Sequence, residues 1–182
     1  MISSERTQNI IIASTIIIAV ISSVTLVSNG IYYGGTYALL GNLDITFENL
    51  TISNIDPLNS SKYPIVVFTF NLATHSPYDG NVRINFMGLS TTLNGDRLSY
   101  MAFSLIPPVA DQHLTPTYNH NFVFNDTADD ELGIDRQTIL DAYNSSTWFW
   151  EVEFRYSYYF FDVFSTIDFS YRYFNITEVT IV

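Results

Sequence analysis

Side chains that could carry out chemistry are few in this sequence, and their spacing matches no catalytic motif. The histidines are His75, His113 and His120, and they do not form the H-E-x-x-H pattern of a zinc enzyme. No G-x-S-x-G nucleophile motif and no glycine-rich phosphate loop occurs. Cysteine is absent, which excludes a thiolate zinc site and a disulfide framework. We therefore predict that the protein is not an enzyme and has no catalytic residues, bound metal or cofactor.

One acidic cluster is a candidate calcium site. It lies at residues 126–135 and consists of Asp126, Asp129, Asp130, Glu131 and Asp135. Calcium prefers oxygen ligands, but the spacing departs from that of an EF-hand, in which the invariant glycine falls in a different register from Gly133. We interpret the cluster as a solvated acidic loop and keep calcium binding as the alternative.

Five N-x-[ST] sequons indicate a glycosylated surface. Their acceptors are Asn49, Asn59, Asn125, Asn144 and Asn175. N-linked glycans are added to surface segments of exported chains, so these sequons favour a location outside the cytoplasm.

The charge of the chain restricts its partners. Glu5 and Arg6 cancel, so the net charge of −11 lies entirely in the region that follows the apolar N-terminal segment. Nucleic acid is excluded as a partner on this basis, because its recognition requires Lys and Arg to neutralise phosphates.

A long apolar run near the N-terminus predicts a membrane anchor. Residues 10–27 contain no charge, and with Gly30–Tyr33 the run reaches the length of about 20 residues that spans a bilayer. Tyr32, Tyr33 and Tyr37 fit an interfacial aromatic belt, and Arg6 favours a cytoplasmic N-terminus. A cleaved signal peptide is the alternative, but the run is longer than the usual 7 to 15 residues and 27–30 is a poor cleavage site.

Within this run a stripe of small residues predicts helix packing. Thr15, Ala19 and Ser23 recur every four residues, as in the small-xxx-small patterns that let membrane helices approach closely.

The remainder of the chain alternates between apolar and polar residues, which is typical of half-buried β-strands. Alternating segments begin at Leu43, Val82, Val152 and Ile167, and 65–70 is a nearly continuous apolar run expected in a central strand. Asn94-Gly95 predicts a type I′ hairpin between 89–93 and 97–101. A short helix is expected from Asp135 as its cap to Asn144 at its end.

The predicted fold class is all-β: a single N-terminal transmembrane α-helix followed by an immunoglobulin-like antiparallel β-sandwich with one short helix. The predicted boundaries are a cytoplasmic N-terminus at 1–9, the transmembrane helix at 10–33, a juxtamembrane linker at 34–42 and an extracytoplasmic sandwich at 43–182.

The order of features between Val66 and Phe124 resembles the late embryogenesis abundant type-2 family, also called the water-stress and hypersensitive response domain. The features are a strand at 66–71, a turn at 75–78 in which only Pro77 matches the family, the Asn94-Gly95 hairpin, the Pro107-Pro108 link and a strand at 118–124. This resemblance implies a non-enzymatic sandwich, often on a single-pass anchor, with roles in stress protection, lipid handling or support of membrane complexes.

Two functions are consistent with these predictions. The first is a single-pass protein of the cell membrane whose glycosylated ectodomain contacts other membrane or surface protein subunits, or further copies of itself. The alternative is a structural subunit of an extracellular filament, similar to archaeal pilins, with the apolar helix in the fibre core.

Overall fold

A computed structural model describes residues 2–162 and 167–182; Met1 and residues 163–166 of the predicted domains lie outside this description. The described residues form two α-helices, α1 (Ile2–Gly41) and α2 (Ile134–Ser145), and a 3-10 turn at Val109–Asp111. They also form nine strands: β1 (Leu43–Ser53), β2 (Ile65–Thr74), β3 (Val82–Leu93), β4 (Asp96–Arg97), β5 (Ser104–Leu105), β6 (Asn119–Thr127), β7 (Trp150–Phe160), β8 (Asp168–Ile176) and β9 (Thr180–Ile181).

The strands form two sheets that pack face to face. Sheet A has the order β6-β2-β1-β9, and sheet B has the order β4-β3-β7-β8 with β5 also paired to β3. The long N-terminal helix and the β-rich domain of two sheets agree with the prediction, and the short helix expected from Asp135 to Asn144 is present as α2. The prediction that the sheets are antiparallel throughout is wrong, because β9 runs parallel to β1 and makes sheet A mixed. With a helix of 12 residues in the domain, the fold is not purely all-β.

The core lies between the sheets and is rich in aromatic rings. Phe68 contacts Trp150 edge to face at 5.4 Å between ring centroids, and Phe70 contacts Phe154 at 5.1 Å. All four side chains are fully buried. Burial of such a side chain contributes about 1.5–3 kcal/mol, so this cluster supplies much of the stability of a domain without disulfides.

The alternation in β1 and β7 correctly predicted which side chains face this core. In β3 it did so for Val82 and Ile84, but a register shift between Ile84 and Phe86 places Met87 in the core and Phe86 on the outer face. The corresponding prediction for the last long strand was wrong. In β8 the side chains of Phe169, Tyr171 and Tyr173 are exposed, and Phe174 and Ile176 face the core instead. The core-facing set is polar at Asp168, Ser170 and Arg172 and apolar only at Phe174 and Ile176, so the alternation over 167–173 pointed to the wrong face.

The Asn94-Gly95 hairpin is confirmed, with φ of 53° and 95° at the two turn residues. Its second arm is shorter than predicted and pairs with β3 only at Asp96 and Arg97. The backbone N–H groups of Tyr100 and Met101 donate to the Asp135 carboxylate rather than to a strand, which ends the pairing.

Strand β2 is central in sheet A, as expected, although its outward side chains are only half-buried.

Candidate interaction surfaces at the two ends of the sandwich

Helix α1 joins the sandwich at one end, here called the proximal end, which is formed by segments 75–81, 112–118 and 160–162. The opposite distal end is formed by segments 54–64, 94–95 and 127–149. The strand registers fix these positions, because Leu43 and Thr74 pair near α1 whereas Ser53 and Ile65 pair at the far end.

The last turns of α1 form part of the domain core. Thr36 and Leu39 are fully buried, and the Thr36 hydroxyl accepts a hydrogen bond of 3.0 Å from the backbone N–H of Asn81. Asn42 closes the helix by donating its backbone N–H and its side-chain amide to the Ala38 carbonyl, and β1 begins at the next residue. Residues 34–41, predicted as a linker, are therefore helical.

Two glycines allow this close approach of helix and sandwich. A Cβ atom placed on Gly35 would lie 2.0 Å from the carbonyl oxygen of Asp79, and one on Gly80 would lie 2.5 Å from the Cα atom of Thr36. The neighbouring Gly34 has nothing within 4 Å of such a position. Sequence analysis missed Gly35 and Gly80, because a tight tertiary contact leaves no periodic pattern.

Aromatic rings surround the junction. The Tyr33 ring lies 4.7 Å from that of Phe161, and the Tyr37 ring lies 5.1 Å from that of Phe160. Tyr33 and Tyr37 remain about half exposed, at 52% and 62%. These contacts cover part of the Phe160 and Phe161 rings at the end of β7.

The apolar part of α1 makes few contacts with the sandwich. It is long and apolar enough to cross a membrane, and its side chains are exposed. Thr15 and Ser23 donate their hydroxyl groups to the carbonyls of Ile11 and Ala19 in the same helix, at 2.9 and 2.8 Å. Such bonds satisfy the hydroxyl groups within the helix.

The small-residue stripe extends further than predicted. At about 100° per residue, Gly30 and Gly34 fall on nearly the same face as Thr15, Ala19 and Ser23. The docked residues Gly35 and Leu39 fall on the roughly opposite face. The sequence signal for the two added glycines was the G-x-x-x-G spacing at 30–34.

The acidic residues at the distal end are structural hydrogen-bond acceptors. Asp130 accepts the backbone N–H groups of Ile134 and Asp135 at 2.9 and 3.1 Å, and thereby caps α2. The prediction that Asp135 caps this helix is wrong: Asp135 is fully buried and accepts from Tyr100 and Met101 at 2.8 and 2.9 Å. Helix α2 ends at Ser145 rather than at Asn144.

The carboxylates of the predicted acidic loop do not converge on one point. Asp126 accepts the backbone N–H of Ala102, while Asp129 and Glu131 are exposed. Among the described residues, no group of three or more His, Cys, Asp or Glu side chains could hold a metal ion. Two of the histidines are separately accounted for. The Nδ1 atom of His120 lies 3.4 Å from the Asp111 carboxylate, and the backbone of His113 forms an isolated antiparallel β-bridge with that of Arg83.

The five sequon asparagines are all exposed, and all lie in the distal half of the sandwich. Asn59 occupies the turn before β2, and Asn144 lies in the last turn of α2. Asn49 lies past the middle of β1, and Asn125 and Asn175 lie on the edge strands β6 and β8.

The outer face of sheet B carries exposed aromatic and charged side chains in cross-strand rows. Arg155 pairs with Tyr171, and its guanidinium lies 5.8 Å from the centre of the Phe86 ring. Glu153 pairs with Tyr173. A hydrogen bond from Tyr173 to Glu153, together with the negative charge of that carboxylate, raises the pKa of Tyr173 above its usual value.

Comparison with known proteins gives structural likeness only. No protein-family model matches the chain, and a search of curated proteins gives no match. Among solved structures, a protein from Archaeoglobus fulgidus is 9% identical with a TM-score of 0.41, over 73% of this chain and 98% of that one. A Northeast Structural Genomics Consortium target is 8% identical with a TM-score of 0.43, over 76% of this chain and 88% of that one.

Proposed function

We propose that this chain is a non-enzymatic, single-pass membrane protein whose glycosylated sandwich lies outside the cytoplasm and contacts other proteins. The observation that carries the proposal is the continuity of α1, which runs from the exposed apolar segment to Leu39 in the domain core. Such a junction holds the sandwich in a fixed orientation relative to the anchor.

The length of the helix suits this arrangement. At 1.5 Å per residue, the 40 residues of α1 extend about 60 Å, roughly twice the hydrocarbon thickness of a bilayer. With residues 10–33 in the membrane, Tyr32, Tyr33 and Tyr37 lie where an interfacial belt is expected. The remaining two turns then reach into the sandwich. Arg6 supports a cytoplasmic N-terminus, and the exposed sequons support an extracytoplasmic domain.

We further infer that the sandwich is immunoglobulin-like. The orders β6-β2-β1 and β4-β3-β7-β8 correspond to strands E-B-A and C′-C-F-G of that fold. Immunoglobulin-like sandwiches occur in many cell-surface domains, so this interpretation agrees with a contact function, although fold alone does not specify one. Membership of the late embryogenesis abundant type-2 family also remains a proposal.

The partner is proposed to be another membrane protein or a second copy that packs on the small-residue stripe of α1. Glycine, alanine and serine at such positions let two helix backbones approach closely, and the sandwich docks on the other side of the helix. Ser23→Leu should therefore disrupt the assembly. Ser28→Leu provides the matched control, because the same change falls on the opposite face.

The experiment is chemical cross-linking of native membranes, followed by native gels in mild detergent. We expect the cross-linked species to be lost with Ser23→Leu and with Gly30→Leu, and retained with Ser28→Leu. Equal amounts of complex in all three variants would contradict packing through the stripe.

A filament subunit is the second candidate, and it is favoured by the same exposed apolar helix, which would suit a fibre core. Mass spectrometry of the mature N-terminus distinguishes the two functions. A chain processed just before its apolar segment would support the filament, whereas a retained Met1 would support the membrane anchor.

A further inference from the structure

A groove of about 510 Å³ lies on the outer face of sheet B near the distal end. Its walls are formed by β3, β4, β7 and β8, and its lining includes Ser90, Thr92, Arg97, Glu153, Tyr173 and Asn175. This volume falls within the range of about 300–1,000 Å³ that is usual for small-molecule sites. Asn175, one of the five sequon acceptors, therefore lies in the wall of the groove.

The lining of this groove mixes hydrogen-bond donors and acceptors. Arg97 donates, and Glu151 and Glu153 accept, so these three side chains carry a net charge of −1. The groove therefore offers hydrogen-bond partners to an uncharged ligand that both donates and accepts. The hydroxyl groups of Ser90 and Thr92 add further partners of the same kind.

An aromatic row extends from the groove along the edge strand. Tyr173 is 74% exposed, and Tyr171 and Phe169 follow on the same face at intervals of about 7 Å. Exposed rings beside hydrogen-bonding groups suit a ligand with one apolar and one polar side. Sugar rings have this character, since their C–H faces stack on aromatic rings while their hydroxyl groups bond to polar side chains.

We propose that the N-linked glycan of Asn175 folds back onto its own domain, with its first sugars over Tyr173 and in the groove. The proposal rests on the proposed function in one respect, the glycosylation of the sandwich. Asn175 and Tyr173 are two residues apart on one face of β8, so the attachment point lies beside the ring. The glycan then covers an edge strand and aromatic side chains that would otherwise be open to association.

Sheet A provides a matched control. Asn125 lies on the edge strand β6 and faces outward, but the residue two positions before it on the same face is Val123, which has no ring. A glycan at Asn125 therefore has no aromatic partner in the position that Tyr173 occupies.

The test uses the full-length protein, purified in mild detergent from a host that performs N-glycosylation. Thermal unfolding is measured for Asn175→Gln, Tyr173→Ala and the double variant, with Asn125→Gln as the control. Thr177→Ala removes the sequon but keeps Asn175, which separates the effect of the sugar from that of the amide. Site occupancy is read by mass spectrometry.

We expect Asn175→Gln and Thr177→Ala to lower Tm by about 2–4 °C, and Asn125→Gln to change it by less than about 1 °C. In the Tyr173→Ala background, loss of the glycan should have no further effect. Hydrogen exchange of the β8 amides should accelerate in Asn175→Gln.

Four results would overturn the inference. Additive effects of Tyr173→Ala and Asn175→Gln would show that the ring and the glycan do not interact. An unmodified Asn175 beside an occupied Asn125 would overturn the inference and leave the proposed function intact, whereas five unoccupied sequons would contradict both. Binding of added N-acetylglucosamine oligomers to the glycosylated protein, lost in Tyr173→Ala, would show that the groove is open.

Discussion

The two ends of the sandwich are stabilised by different chemistry. At the proximal end, α1 docks through backbone contacts at Gly35 and Gly80, and aromatic rings pack around the contact. At the distal end, carboxylates of Asp126, Asp130 and Asp135 accept backbone N–H groups and thereby hold α2 and the 98–102 segment.

The five sequons and the acidic residues 126–135 lie toward the distal end, away from α1. The proximal end also holds carboxylates, since Asp162 lies 2.8 Å from Arg83 and accepts a hydrogen bond of 3.0 Å from the Asn81 side-chain amide. The comparison can be tested by substitutions that act on one end only.

The largest effect is expected at the distal end from Asp135→Ala. This change leaves the backbone N–H groups of Tyr100 and Met101 without their acceptor, which should cost about 3 kcal/mol. Chemical unfolding of the full-length protein in detergent measures the free energy of unfolding. Asp141→Ala, an exposed position on the same helix, should cost less than about 0.5 kcal/mol. Equal losses would contradict the structural role of Asp135.

At the proximal end, Gly35→Ala should destabilise the junction by about 2 kcal/mol, because the added methyl group would overlap the Asp79 carbonyl. Gly34→Ala should be neutral or slightly stabilising, since alanine favours the helix and nothing lies nearby. Thermal unfolding and limited proteolysis at 34–42 measure the stability of the junction in both variants. Faster cleavage in Gly34→Ala than in Gly35→Ala would contradict the docking geometry.

A smaller effect is expected at alkaline pH, again at the proximal end. Burial, and secondarily the charge of Asp111, raise the pKa of Tyr118. The folded protein therefore keeps this proton to higher pH than the unfolded chain, and stability should fall as pH rises above about 10. Tyr118→Phe should flatten this decline in a plot of Tm against pH.

The smallest effect is expected from calcium at the distal end. The carboxylates of Asp126, Asp130 and Asp135 already accept backbone hydrogen bonds and point to different segments. Millimolar Ca²⁺ should therefore leave Tm unchanged in a thermal unfolding assay. An increase that saturates with Ca²⁺ concentration, and that Asp129→Asn abolishes, would show that the acidic loop binds the ion.

Much of the fold could be predicted because local patterns agreed with tertiary burial. The charge-free run predicted the helical segment, alternation predicted the buried faces of β1, β7 and the first part of β3, and Asn94-Gly95 predicted the hairpin. In each case one physical property, such as positive φ at the turn, restricted the structures that the segment could adopt.

The features of the fold that the sequence did not predict depend on contacts between residues that are distant in sequence. The orientation of β8 is set by Phe174 and Ile176 in the core, and its outward face is equally aromatic. The parallel pairing of β9 with β1 involves only two residues, and the docking of 34–41 brings it against segment 79–81, which is distant in sequence. Sequence alone also could not show that the outer face of sheet B brings Asn175 beside Tyr173, because this required the correct orientation of β8.

The uninterrupted helix has a consequence for the geometry of the whole chain. Each residue of an α-helix advances the axis by 1.5 Å and turns it by about 100°. Because α1 enters the sandwich without a hinge, deletion of one residue after Tyr33 would bring the domain slightly closer to the apolar segment and rotate it by about 100° around the helix axis. The number of residues between the apolar segment and the domain thus sets the direction in which the β8 face points relative to that segment.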